Sequence, residues 1–126
     1  MQMHIKPSDE LPIYRQIVRQ ITDAIAGGRL VPGEQLPSHR DLAAQLVIAP
    51  LTVKKAYDEL EREGLIDTQR GKGTFVSEKP AEVGLAQRRE RLRDTAQRLL
   101  SQAALSDVPF TEVMSLLEEM QKGMQL

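Results

Sequence analysis

The side chains with chemistry to offer gather between Ser38 and Lys72. Arg40, Lys54, Lys55, Arg70 and Lys72 are cations there, and Ser38 and Thr52 supply hydroxyls. Guanidinium and ammonium groups hold phosphate, and an arginine fork can read guanine in the major groove. Thr52 can bond a phosphate or a base edge, and Leu51 can meet a thymine methyl. Asp58, Glu59, Glu61 and Glu63 cluster beyond the lysines, so a basic face is expected even though the chain's net charge is -1. Screening makes the nearest charges decide what a surface attracts. Other chemistries are poorly served. There is no cysteine, which removes thiol catalysis, disulfides and thiolate metal sites, and His4 and His39 are too far apart to predict a zinc site. Gly71-Lys72-Gly73-Thr74 lacks the spacing of a nucleotide-binding loop and runs into a strand. With no nucleophile–base pair and no cofactor loop, neither an enzyme nor a bound cofactor is expected.

These residues need elements to position them. At 126 residues, 40% hydrophobic but only 3% aromatic, the chain can build one aliphatic core. Residues 1 to 10 read as a polar, extended lead-in. Leu11, Tyr14, Ile17, Val18, Ile21 and Ile25 then recur at helical spacing, with Gly27-Gly28 as the stop. Gln35-Leu36 can form a very short strand. Ser38 is an N-cap candidate with Asp41 three residues on, and the helix behind it buries Leu42, Ala43 and Leu46. Val47-Ile48-Ala49 connects it to a second helix opened by Pro50, whose inward stripe is Val53, Ala56, Tyr57 and Leu60. With about 100° between residues, Leu51, Lys55 and Asp58 face outward and Thr52 and Lys54 sit on the flanks. Gly64 ends this helix. Leu65 to Gln69 and Thr74 to Val76 read as strands joined by Arg70-Gly71-Lys72-Gly73. Two helices, a turn and a basic hairpin in this order describe a helix-turn-helix with a wing, a surface that suits DNA.

The predicted fold is mostly α with a small β-hairpin: a winged helix-turn-helix over residues 1–77, a linker at 78–82 and a two-helix dimerisation tail over 83–126. In the tail, a helix from about Ala81 to Ala104 places Leu85, Leu92 and Leu99 seven apart. After Asp107-Val108-Pro109 a second helix stacks Phe110, Val113, Met114, Leu117, Met120 and Met124 on one side. Such a pair cannot bury two apolar faces alone, so a second copy is expected to pack against Leu85, Leu92, Leu99, Val113, Leu117 and Met120. Arg88, Arg89, Arg91 and Arg93 read as a solvated face. Neither a membrane span nor a signal peptide is predicted, and a cytoplasmic location is expected.

Pro12-Ile13-Tyr14-Arg15-Gln16-Ile17 and the run Gly28 to Ala43 resemble the opening of the GntR family of bacterial transcription regulators. The resemblance continues through Thr52-Val53-Lys54-Lys55-Ala56-Tyr57, Leu60-Glu61, Glu63-Gly64-Leu65-Ile66 and Arg70 to Val76, roughly residues 11 to 76. It implies a winged helix-turn-helix, a homodimer and a palindromic double-stranded DNA operator. The short tail resembles the YtrA subfamily, whose members are often repressors. The family's DNA contacts carry over to Ser38 and Arg40, to Leu51, Thr52 and Lys54, and to Arg70 and Gly71. Lys55, on the outward face of the second helix, and Lys72, at the tip of the wing, join them from position and charge. Related proteins often carry Asn-Pro-Asn-Thr where this chain has Ala49-Pro50-Leu51-Thr52, so an N-cap and a polar base reader are missing and the operator sequence does not carry over. The tail leaves little room for a ligand pocket within one subunit, and a small-molecule effector at a dimer seam stays open. The alternative reading from another class is a protein-interaction adaptor built on the same winged helix and helical stripe.

Overall fold

In a computed structural model, residues 2–79 and 84–124 are described. They form two units, Met1–Val83 and Gly84–Leu126. The first contains α1 (Ile13–Ala26), β1 (Gln35–Leu36), α2 (His39–Leu46), α3 (Pro50–Arg62), β2 (Ile66–Gln69) and β3 (Gly73–Val76). The second contains α4 (Leu85–Leu105) and α5 (Phe110–Met124). Pro80 to Val83 lie outside the described residues, and with them most of the predicted linker and the predicted start of α4.

The stripes of the first unit meet as their periodicity requires. Ile17 and Ile21 of α1, Leu42 of α2 and Val53, Ala56 and Leu60 of α3 are fully buried together with Ile66 of β2. This aliphatic cluster is closed by Leu36, Tyr57, Leu65 and Val76. The wing is a three-stranded antiparallel sheet in the order β1-β3-β2, so the short Gln35-Leu36 strand is a full partner of the hairpin. Gln69 pairs with Gly73, which shortens the connecting loop to Arg70-Gly71-Lys72. Thr74 and Val76 point into the core and Gly73 and Phe75 are half-buried, the period-2 pattern of a strand with one covered face.

The first ten residues differ from the expected polar lead-in. Met3 and Ile5 pack against the core. The backbone on either side of Ile5, at His4 and Lys6, is clasped by two amides of α1, one turn apart. Gln20 accepts from the His4 N–H and donates to the His4 carbonyl, and Gln16 does the same for Lys6 while also donating to the Leu11 carbonyl. Each glutamine thus imitates a neighbouring strand. Periodicity alone gives no sign of this, because Gln16 and Gln20 fall outside the apolar stripe of the helix.

In the second unit, Ser106 to Pro109 turn the chain between α4 and α5, with Asp107 left-handed at φ 55°. Val113 is already buried within the chain at 3% exposure, which removes it from the expected dimer surface. No residue of α4 is buried. Leu85, Leu92, Leu117 and Met120 remain exposed and Leu99 is half-buried. An open groove of about 400 Å³ runs along α5 beside Met114, Leu117, Met120 and Met124. Among the described residues, no helix is long and apolar enough to cross a membrane.

Candidate nucleic-acid interface

The interface is built around the junction of α2 and α3. Ser38 caps α2: its hydroxyl accepts the Asp41 N–H at 3.0 Å, which fixes the helix start and leaves Arg40 exposed in the first turn. The far end of α2 closes in a Schellman turn, with the Ile48 N–H donating to the Ala43 carbonyl and the Val47 N–H to Ala44. Val47 takes the left-handed residue of that turn at φ 56° and ψ 51°. α3 then starts at Pro50, behind an Ala49 that offers no capping side chain. The Tyr57 phenol donates to the Pro37 carbonyl at 2.8 Å and ties α3 to the lead into α2. Burial pushes the Tyr57 hydroxyl well above its ordinary pKa, so it remains a donor.

Along α3, the predicted inward stripe of Val53, Ala56, Tyr57 and Leu60 is buried. Leu51 is 77% exposed and Thr52 is half-buried. Lys54 reaches Asp58 one turn on, Nζ to Oδ2 2.9 Å, with both side chains about half exposed. Such an open pair contributes little, so a phosphate can take the lysine from its partner. Lys55 goes elsewhere. Its ammonium lies 4.0 Å from the centre of the Tyr14 ring on α1, where the ring's negative face attracts it. The outward direction expected for Lys55 is therefore bent toward α1. Arg15 lies against the same ring and pairs with Glu59 of α3 at 3.7 Å.

The wing is fastened to the far end of α3, where Glu61 accepts the Thr68 N–H at 3.2 Å. An acid that reads as a solvated charge thus has a structural partner. At the tip, Arg70, Gly71 and Lys72 are all exposed. Gly71 sits at φ +78° with open space around it, a backbone that side chains other than glycine's adopt only with strain. Gly73, at φ +128°, lies so close to Gln35 that a Cβ would meet its Nε2 at 2.6 Å. Gln35 in turn donates to the Lys72 carbonyl. Among the described residues, no cluster of His, Asp or Glu is arranged to hold a metal ion.

The sequence-predicted residues thus divide. Arg40, Leu51, Lys54, Arg70, Gly71 and Lys72 present exposed surface, Ser38 is committed to its cap, Thr52 is half-covered and Lys55 is held at Tyr14. Sequence reasoning missed Tyr14 and Val47. A tyrosine beside an arginine in an amphipathic helix gives little warning of a lysine partner far along the chain. The absence of Gly or Asn at the end of α2 was the available sign for Val47.

Known proteins show the same arrangement. The family model "Bacterial regulatory proteins, gntR family" matches residues 13–76. The HTH-type transcriptional repressor YtrA of Bacillus subtilis (strain 168) is 35% identical over 117 residues, which is 93% of this chain and 90% of that protein. A crystal structure described as a transcriptional antiterminator from Listeria monocytogenes EGD-e superposes with a TM-score of 0.90 at 31% identity, covering 98% of this chain and 92% of that one. AraR(DBD), crystallised in complex with an operator, is similar at a TM-score of 0.54 and 29% identity, over 61% of this chain and 99% of that one.

Proposed function

The chain belongs to the GntR family of bacterial regulatory proteins, which are DNA-binding transcriptional regulators, and from that premise we propose that it is a cytoplasmic repressor acting as a homodimer on a palindromic operator. Residues 1–77 form the DNA-binding domain, 78–82 the linker and 83–126 the dimerisation region. The observation that carries the reading is the exposed start of α3, held between a capped α2 and a fastened wing. Such an arrangement enters a major groove by the N-terminal half of its second helix. Arg40 reads a guanine or binds its phosphate, Thr52 and Lys54 bind at the groove edge, and Arg70 and Lys72 bind phosphate across it. Gly71 lets the backbone of the wing tip approach closely. Lys55 contributes from its place beside Tyr14.

The exposed leucines and methionines of α4 and α5 support pairing of two copies, which supplies the two-fold axis a palindrome needs. A mobility-shift titration with duplexes selected from a randomised pool tests the reading. Affinity should fall by about 0.9 log units per decade of salt for each phosphate neutralised. Binding that ignores salt, or a pool that yields no preferred sequence, contradicts it.

A further inference from the structure

The five residues from the end of α2 into α3, Val47-Ile48-Ala49-Pro50-Leu51, carry no polar side chain. Four of them are exposed, Val47 at 88% and Leu51 at 77%, while Ile48 folds back onto the core. The placement runs against two local preferences at once. A β-branched residue in the left-handed region is strained, and that site of a Schellman turn suits glycine. Large aliphatic side chains also lose free energy by standing in water. Nothing within the described first unit covers them.

We propose that Val47 and Leu51 are specificity-determining residues that form an apolar edge for thymine methyl groups, so that each half-site presents T·A pairs to the start of α3. The inference rests on the DNA-binding reading above and sharpens it. Among the base edges of the major groove, the thymine C5 methyl is the feature that rewards an aliphatic contact rather than a hydrogen bond. The first turn of a recognition helix is the part that meets base edges. Without polar side chains from 47 to 51, this chain reads those positions by methyl burial, and hydrogen-bonded readout is left to Arg40 and Thr52.

The test uses the full chain and a randomised duplex pool containing thymine. Selected duplexes are resynthesised with deoxyuridine in place of thymine, which keeps base pairing and removes only the methyl. Each contacted methyl should be worth about fourfold in affinity, from roughly 0.8 kcal/mol per buried carbon at 1.4 kcal/mol per decade. Leu51→Ala should bind more weakly and lose most of the uracil penalty. Val47→Gly should also lower the penalty while raising the melting temperature, a combination that a purely structural role for Val47 does not produce. Selected duplexes that bind equally well with uracil overturn the proposal and leave the repressor reading standing. A Leu51→Ala variant with the full penalty also overturns it. A pool that yields no preferred sequence removes both.

Discussion

Arg40 occupies the first turn of α2, where a helix dipole mildly disfavours a cation, and it is exposed. Contact with DNA, as proposed above, would account for a cation set against its local preference. Arg40→Ala should therefore weaken binding to a selected duplex by about 1–3 kcal/mol and leave the melting temperature unchanged. Fluorescence anisotropy beside thermal melts checks both halves. Tyr57 is the opposite case, a polar group committed to the interior. Its folded-state pKa lies above the ordinary 10.0, so the folded chain holds this proton more tightly than the unfolded one. Its contribution is complete below about pH 10 and is lost as pH rises beyond it. Melts taken between about pH 8 and 11 should show a steeper alkaline loss for the native chain than for Tyr57→Phe. Parallel curves would contradict that assignment. Both residues are named by the sequence, but only Arg40 by its charge; the Tyr57 bond to Pro37 needed the packing of α3 against α2.

Among the elements, the helix-turn-helix and wing were legible because each is specified locally. Ser38 starts α2, Pro50 starts α3, and Gly71 and Gly73 allow the hairpin. The N-terminal arm was not legible. Its apolar residues Met3 and Ile5 are too few for a periodic signal, and its partners Gln16 and Gln20 lie outside the apolar stripe of α1. The arm behaves as a strap whose backbone groups depend on those amides. Gln16 is buried and bonds with three backbone groups, so Gln16→Ala should cost about 1–3 kcal/mol by removing three part-buried hydrogen bonds. Urea denaturation measures this, and hydrogen exchange at the Lys6 amide, which donates to Gln16, should quicken in the variant. An unchanged midpoint would mean that the strap contributes nothing to the fold.

For the whole molecule, the second unit is the part that bears on assembly. Leu92 is 67% exposed on a helix with no buried residue, and Leu117 and Met120 are exposed on α5. Two copies packed through these faces would cover them. Light scattering at micromolar concentration should report twice the chain mass, and Leu92→Asp with Met120→Asp should shift it to one. A native chain that is already monomeric removes the dimer and weakens the case for a palindromic operator. The heptad spacing predicts leucines on one face, of which Leu85 and Leu92 are exposed, but the burial of Val113 inside the chain could not be read from the neighbouring stripe. Which member of a stripe is consumed internally depends on how the two helices of the unit cross.

Taken by itself, the amino-acid order determined the helices, the turns, the aliphatic core and the location of the basic residues. All of these follow from periodicity and from capping or turn chemistry between near neighbours. Tertiary structure alone decided which cations stand free. It set Lys55 over Tyr14, fastened Glu61 to the wing, paired the short Gln35-Leu36 strand with the hairpin and left Val47 strained and bare at the mouth of α3. The direction of a side chain is set by whatever packs beside it, and those neighbours lie far along the chain.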